Sequence, residues 1–258
     1  MYESEKKAYF ILLISSISLL IILGSFFRAI FNQLRKNRKL FEEKLSAEMT
    51  GREEERKRIS KDLHDELAST LTGANMYLQV VKGETDHDKQ IISKIQSSLA
   101  LSLEQIKQIM NDLYPVSLDN YGLVVCLNEF IEEMNLLGAL NIIFTNNVEN
   151  IEAKILKEHK IHIFRIIKEI SQNTIKHSHS PVLSLRFSES DNKIILETID
   201  QGQGFDGDDK AYKKMGRGLN NIISRVELIS GEIFLDARPQ KGVHFTIEIP
   251  ISYVPSQN

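Results

Sequence analysis

"RISKDLHDEL", residues 58–67, sets a histidine and two carboxylates beside a stripe of leucines. Ile59, Leu63, Leu67 and Leu71 recur every four residues, which predicts an amphipathic helix with that stripe turned to a core. At about 100° per residue His64 falls on the flank of the stripe, part packed and part wet. The dipeptide alone decides nothing. With 7 histidines and 35 acidic residues among 258, a His–acid pair arises by chance, and the chain has two, His64-Asp65 and His87-Asp88. The surrounding pattern has to carry the reading.

The apolar period strengthens through Ala74, Leu78 and Val81 and stops at "KGETDHD", where Gly83 and the acidic residues predict a helix-to-helix turn containing His87-Asp88. A second helix carries Ile91, Ile95, Leu99, Leu103, Ile106, Met110 and Leu113 and ends at Pro115. Two antiparallel helices cannot bury two full apolar stripes on each other. A second copy completes a four-helix bundle, so the pattern predicts a homodimer.

Upstream, Ala8 to Phe27 contains no charged residue, and its twenty residues would span roughly 30 Å as a helix. A transmembrane helix at 8–28 is therefore expected. Arg28, Arg35, Lys36, Arg38 and Lys39 follow it, against Lys6 and Lys7 before it, which orients the C-terminal part to the cytoplasm of a single-pass plasma-membrane protein. On this reading residues 1–7 are a short extracytoplasmic stub, too short for a folded sensor domain. Residues 29–54 form a charged juxtamembrane signalling segment, and the input comes through the membrane or from a partner protein.

Composition excludes several classes. At 42% hydrophobic and 26% charged, the chain is of ordinary globular make-up, and a net charge of −3 without an arginine-rich stripe argues against direct nucleic-acid binding. One cysteine, Cys126, rules out a disulfide framework and a thiolate zinc site. The runs "HKIH" at 159–162 and "HSHS" at 177–180 lack a nearby carboxylate or thiolate to complete a metal site.

Beyond "YPVSLDNYG" the texture changes. A helix at about 123–137, a strand "LNIIFTNN" and a long helix at about 154–177 precede strands "PVLSLRFSE" and "NKIILETID". A glycine-rich loop, a helix after Gly216, and strands "GEIFLDAR" and "GVHFTIEIP" follow. This alternation predicts an α/β sandwich, one mostly antiparallel sheet with helices on one face, and an α+β chain overall.

Three patterns there bear chemistry. "FRIIKEISQNTIKHS" puts Glu169, Asn173, Lys176 and His177 at helical spacing on one face, opposite Ile166, Ile167 and Ile170, a donor set suited to a Mg²⁺-bound triphosphate. "IDQGQGFDG" ends a strand at Asp200 and enters a loop with Gly202, Gly204 and Gly207. A carboxylate fixed there can accept from an exocyclic amine such as that of adenine. "MGRGLNNIISRVE" places Gly216 and Gly218 before a helix start, where backbone N–H groups bind phosphate, with Arg217, Lys213 and Lys214 adding charge. No Walker or Rossmann arrangement is present.

In order and spacing, residues 55–252 resemble the sensor histidine kinases of two-component systems, in the subgroup that pairs with LuxR-type response regulators. The phosphoacceptor box resembles "ERKRISKDLHDEL" and the inter-domain signature "LYPVSLDNYGL". The N box resembles "EISQNTIKH", and the two glycine boxes resemble "DQGQG" and "GRGLNNIISRVE". The resemblance implies a dimerisation and phosphoacceptor hairpin at 55–115 and a Bergerat-type ATP-binding domain at 122–254. It implies autophosphorylation of His64 from ATP and Mg²⁺ and transfer to an aspartate of a response regulator.

Imidazole in water titrates at about pH 6.5, so a neutral ring with one nitrogen free to attack is at hand. Asp65 would fix its tautomer and take its proton. By resemblance Asn173 holds Mg²⁺, Lys176 and His177 the phosphates, and Asp200 the adenine, under a lid from Phe205 to Met215. Two positions depart from the family pattern. Ser69 stands where members that dephosphorylate their regulator carry Gln or His, and Val243 stands where a threonine usually follows the last glycine. Two other readings use the same nucleotide fold: a hydrolytic ATPase switch with Glu169 activating water, and an inert dimeric scaffold.

Overall fold

The computed structural model describes residues 2–82, 85–205 and 217–252, without the side chains of 2–17, 21, 38, 42 and 217. The chain divides into two compact units, 1–52 and 53–258.

From Tyr2 onward the first unit is helical and belongs to α1, Tyr2–Asp62. The transmembrane helix expected at 8–28 is not supported: among the described residues no helix is long and apolar enough to cross a membrane. The residues of that expectation before Ser18 have side chains outside the description. The membrane localisation and the bilayer as a partner are corrected with it. The charged segment 29–54 is continuous helix, because it contains no proline and its one glycine, Gly51, is accommodated within α1.

In the second unit α1 ends in a π-turn, Leu63–Ala68, which leads into α2, Ser69–Val80. Gly83, in the expected turn, lies outside the described residues. The return helix α3, Asp86–Leu113, starts on a capping box: the Thr85 hydroxyl accepts from Asp88 N–H, and the Asp88 carboxylate accepts from Thr85 N–H at 3.0 Å. His87-Asp88 is thus the first turn of a helix rather than part of the turn before it, and Asp88 serves as its cap.

The "YPVSLDNYG" stretch, read above only as a boundary, forms a short helix α4, Val116–Tyr121, after Pro115. It closes the base of the hairpin. Asp119 pairs with Lys57 and accepts from the Tyr114 hydroxyl at 3.2 Å, while the Ser60 hydroxyl donates to Met110 O at 3.2 Å.

The α/β layer follows as α5 (Leu123–Leu136), β1 (Asn141–Asn146), α6 (Ile151–Lys154), α7 (Lys157–Asn173), β2 (Val182–Ser190), β3 (Lys193–Asp200), α8 (Arg217–Leu228), β4 (Glu232–Ala237) and β5 (Val243–Pro250). The strands order β1-β2-β3-β5-β4, parallel at β1–β2 and antiparallel elsewhere. Period-two burial of Leu183, Leu185 and Phe187 on β2 and of Ile194 and Leu196 on β3 gives one core-facing side. That side packs on Leu127 of α5, Ile163, Ile166, Ile167 and Ile170 of α7, and Ile222 and Val226 of α8. By the same alternation Asp200 ends β3 facing the helices, and it is buried.

Helix α7 is buried on its other side as well. Glu53, on α1, accepts from Arg225 Nη2 at 2.8 Å and from Arg165 Nε at 3.4 Å. Arg165 also donates to the α3 carbonyls of Asp112, at 3.0 Å, and Leu113. Arg225 Nη1 lies 3.1 Å from His162 Nδ1. A guanidinium can only donate, so this ring nitrogen accepts and the imidazole is neutral. Burial, and then the Arg225 charge, push His162 down to about 4.

Two outcomes follow from this packing. Glu53→Ala leaves two largely buried guanidiniums uncompensated and lowers stability by about 3–5 kcal/mol in urea denaturation. His162 is protonated in the unfolded chain below about pH 6.5 but in the folded chain only near 4. Its contribution is therefore complete above the upper value and is lost as pH falls across that window. His162→Gln flattens the stability profile between those two pH values.

Candidate active site

The expected site residues fall at two places, each beside a π-turn, where i→i+5 bonding replaces the α pattern.

The first holds His64. Its Nδ1 lies 3.1 Å from Asp65 Oδ1, and both side chains are exposed, 63% and 58%. A carboxylate only accepts, so Nδ1 carries the proton and the Nε2 lone pair is free. The helical reading placed His64 half-packed on the flank of the leucine stripe. In this chain it stands clear of the core, because the wider turn shifts its direction and the stripe itself is partly open, with Ile59 37% and Leu67 48% exposed. Ser69 begins α2 immediately after this turn.

The second is a cavity of about 480 Å³ among the end of α7, the end of β3 and the start of α8. Its apolar walls come from Ile170, Leu219, Val243 and Phe245, and its polar groups from Asn173, Thr174, His177, Ser178 and Asp200. A mostly apolar hollow of this size with a few converging polar groups suits a nucleotide. Asp200 Oδ1 accepts from the Ser178 hydroxyl and from Gly202 N–H at 3.0 Å. No protein hydrogen bond to Oδ2 is present among the described residues, which leaves that oxygen for an incoming donor.

Among the expected site residues, Asn173, His177, Asp200, Gly204 and Gly218 line this cavity. Lys176 and Glu169 do not. The expectation of one shared face assumed α-helical spacing through residue 177. The π-turn Thr174–Ser178, closed by His179 N–H to Thr174 O at 3.0 Å, breaks that period after Asn173. His177 and Ser178 therefore line the cavity while Lys176 is exposed. Ile170, read as core, is buried in the core and also lines the cavity wall. Glu169 lines a separate cavity of about 170 Å³.

The glycines divide similarly. A Cβ on Gly202 would collide with Ser178, so that glycine makes room for the side chain that fixes Asp200 rather than for a ligand. Gly204, at φ +55°, lies against Arg238 O. A Cβ on Gly218 would lie 2.5 Å from Glu169 Oε1 and 3.2 Å from Asn173 Oδ1, so the start of α8 seats directly on the Asn173 turn. Gly216, Gly207, Lys213, Lys214 and the expected lid from 206 onward lie outside the described residues. Sequence reasoning missed Thr174, Ser178 and Phe245. The alternation of β5 signals Phe245, which is buried on the core-facing side; the other two depend on the π-turn.

Residues 55–118 match a family described as histidine kinase, and residues 158–253 match the histidine kinase-, DNA gyrase B- and HSP90-like ATPases. The oxygen sensor histidine kinase NreB of Staphylococcus carnosus is 25% identical over 224 residues, 85% of this chain. The chain spans 63% of that protein's length. Among solved structures, the histidine kinase domain of the Erythrobacter litoralis EL346 blue-light activated kinase is similar with a TM-score of 0.46 and 18% identity, over 71% of this chain and 94% of that one. The Acinetobacter baumannii histidine kinase AdeS is similar at 0.40 and 18%, with the same coverage.

Gly218→Ala pushes the Glu169 and Asn173 side-chain ends aside without touching the core. Affinity for a fluorescent ATP analogue falls about tenfold, equivalent to 1.4 kcal/mol, with an unchanged circular dichroism spectrum.

Proposed function

Since the chain belongs to the sensor histidine kinases, we propose that it transfers the γ-phosphoryl group of ATP to His64 and then to an aspartate of a response regulator. The observation that carries this reading is the His64–Asp65 pair, which holds the proton on Nδ1 and leaves an exposed Nε2 as nucleophile. Nε2 attacks the γ-phosphorus, an N–P bond forms, and the bond from that phosphorus to the bridging oxygen of ADP breaks. Asp65 stabilises the positive charge that develops on the ring and takes the Nδ1 proton. Hydrolysis is not needed to balance the step: ADP leaves with the electron pair.

Asp200 accepts from the exocyclic amine of adenine through Oδ2, and the wall formed by Ile170, Val243 and Phe245 covers the base. Asn173 would hold Mg²⁺, which would supply charge neutralisation at the phosphates. His177 and the N-terminal turn of α8 at Gly218 lie along the same cavity and contact phosphate oxygens. Lys176 is exposed and reaches the phosphates only from outside the cavity rim. Gly202 acts indirectly, by allowing Ser178 to orient Asp200. Glu169 lines the second cavity, and its Oε1 also lies beside Gly218, next to Asn173.

A homodimer is the working form. Ile91 and Ile95 at 43% exposure and Leu101 at 66% leave apolar surface on the hairpin that a second hairpin would cover. The partner regulator carries a receiver domain and, in keeping with the subgroup, a LuxR-type DNA-binding output. DNA contact is left to that regulator.

Incubation of the full chain with γ-labelled ATP and Mg²⁺ yields acid-labile phosphoprotein. His64→Gln and Asn173→Ala both abolish it. Label that survives His64→Gln would overturn the assignment of the phosphoacceptor.

A further inference from the structure

The cavity of about 170 Å³ that Glu169 lines is bounded by cations from three helices: Arg56 of α1, Arg165 and Lys168 of α7, and Arg225 of α8. Four positive groups face one lining carboxylate, Glu169. Two neutral amides, Gln172 and Asn221, complete the wall.

The neighbouring acids do not balance this charge. Glu53 carries one negative charge and is shared by three guanidiniums, at 2.8 Å from Arg225, 3.4 Å from Arg165 and 3.6 Å from Arg56. Lys168 is paired with Asp112 at 2.7 Å. Arg165 spends its remaining donors on the Asp112 and Leu113 carbonyls, and Arg225 one of its own on His162. Arg56 is different: its one described ionic contact is the long one to Glu53, and its side chain is 44% exposed. Neither Gln172 nor Asn221 has a side-chain hydrogen bond among the described residues. The cavity thus offers an underused guanidinium fork, an ammonium and two amides around one hollow. The crowding of like charge is visible on Arg165, whose pKa is lowered by burial and by Arg56 and Arg225 despite Glu53.

Guanidinium forks and amides converging in this way match a tetrahedral oxyanion bearing more than one charge. The volume admits a phosphate with bridging water and excludes a nucleotide, which needs the larger cavity. We propose that this cavity is a binding site for inorganic phosphate, separate from the nucleotide cavity, in which the anion bridges Arg56 of α1 to Lys168 of α7 and Arg225 of α8. The two cavities are neighbours, since Asn173 lines one and Gln172 the other. Bound phosphate therefore adds a third bridge, beside the two Glu53 ion pairs, between the helix that leads to His64 and the helices that hold the nucleotide.

The test titrates inorganic phosphate into the full chain at constant ionic strength, with ADP and Mg²⁺ saturating the nucleotide cavity. Binding is read by ³¹P line broadening and by the shift in Tm relative to chloride. Saturable binding and a raised Tm are expected. Affinity should be weakened about tenfold or more in Arg56→Gln and in Lys168→Gln, equivalent to 1.4 kcal/mol per tenfold, and retained in Asn173→Ala. Arg56 is partly exposed, so its substitution leaves the fold intact, and circular dichroism verifies this. Absence of binding to the unsubstituted chain, full affinity in Arg56→Gln, or displacement of phosphate by ADP would each overturn the proposal. The last outcome would place the anion in the nucleotide cavity while leaving the kinase reading untouched.

Discussion

Glu53 is the carboxylate on which the second compact unit turns. It is the first residue of that unit and stands eleven positions before His64 on a continuous helical path. It is largely buried, and its partners lie 112 and 172 residues away in sequence. One partner sits on α7, whose C-terminal end carries Asn173, and the other on α8, whose first turn carries Gly218. A single ionic node therefore sets the helix leading to His64 against the two helices that build the larger cavity. An isolated charge could not be kept at such a depth. Two guanidiniums and the α3 carbonyls that Arg165 also reaches make burial affordable.

The base of the hairpin repeats this logic with weaker parts. Ser60 donates to the end of α3, and Asp119 gathers Lys57, Lys157 and the Tyr114 hydroxyl. The Tyr114 ring is held in its phenol form, its pKa raised first by burial and then by Asp119. These contacts explain why a stretch that reads as a linker, "LYPVSLDNYG", folds into a defined helix and docks. Above this base the hairpin has little to hold it within one chain, and its exposed leucines and isoleucines mark where a second copy would add most.

Both candidate sites rest on π-turns. A π-turn widens the helix and redirects every side chain beyond it, so residues at α-helical spacing in the sequence part company in space. At Leu63–Ala68 the effect is to swing His64 out to solvent, where its Nε2 is open. At Thr174–Ser178 the effect is to bring His177 and Ser178 to the cavity while Lys176 stays outside. Ser178 then fixes Asp200 from the π-turn at the end of α7, a contact that the missing Cβ of Gly202 permits.

Much of this protein could be read directly from its sequence. The apolar period of four gave the hairpin helices, period two gave the core-facing side of each strand, and with it the position of Asp200 at a strand end. The family boxes placed His64, Asn173 and Asp200. These are local properties, set by backbone geometry and by which side chains avoid water. The apolar run before Arg28 also read clearly, as a membrane span, but among the described residues no helix is long and apolar enough to cross a membrane. Only the tertiary structure decided the rest. It chose π-turns over α-helix at the two candidate sites, turned Glu169 to a second cavity, and drew Glu53 into the grip of Arg165 and Arg225. Each of these depends on partners distant in the chain or on hydrogen-bond registers that differ by one residue, and neither leaves a periodic trace in the sequence.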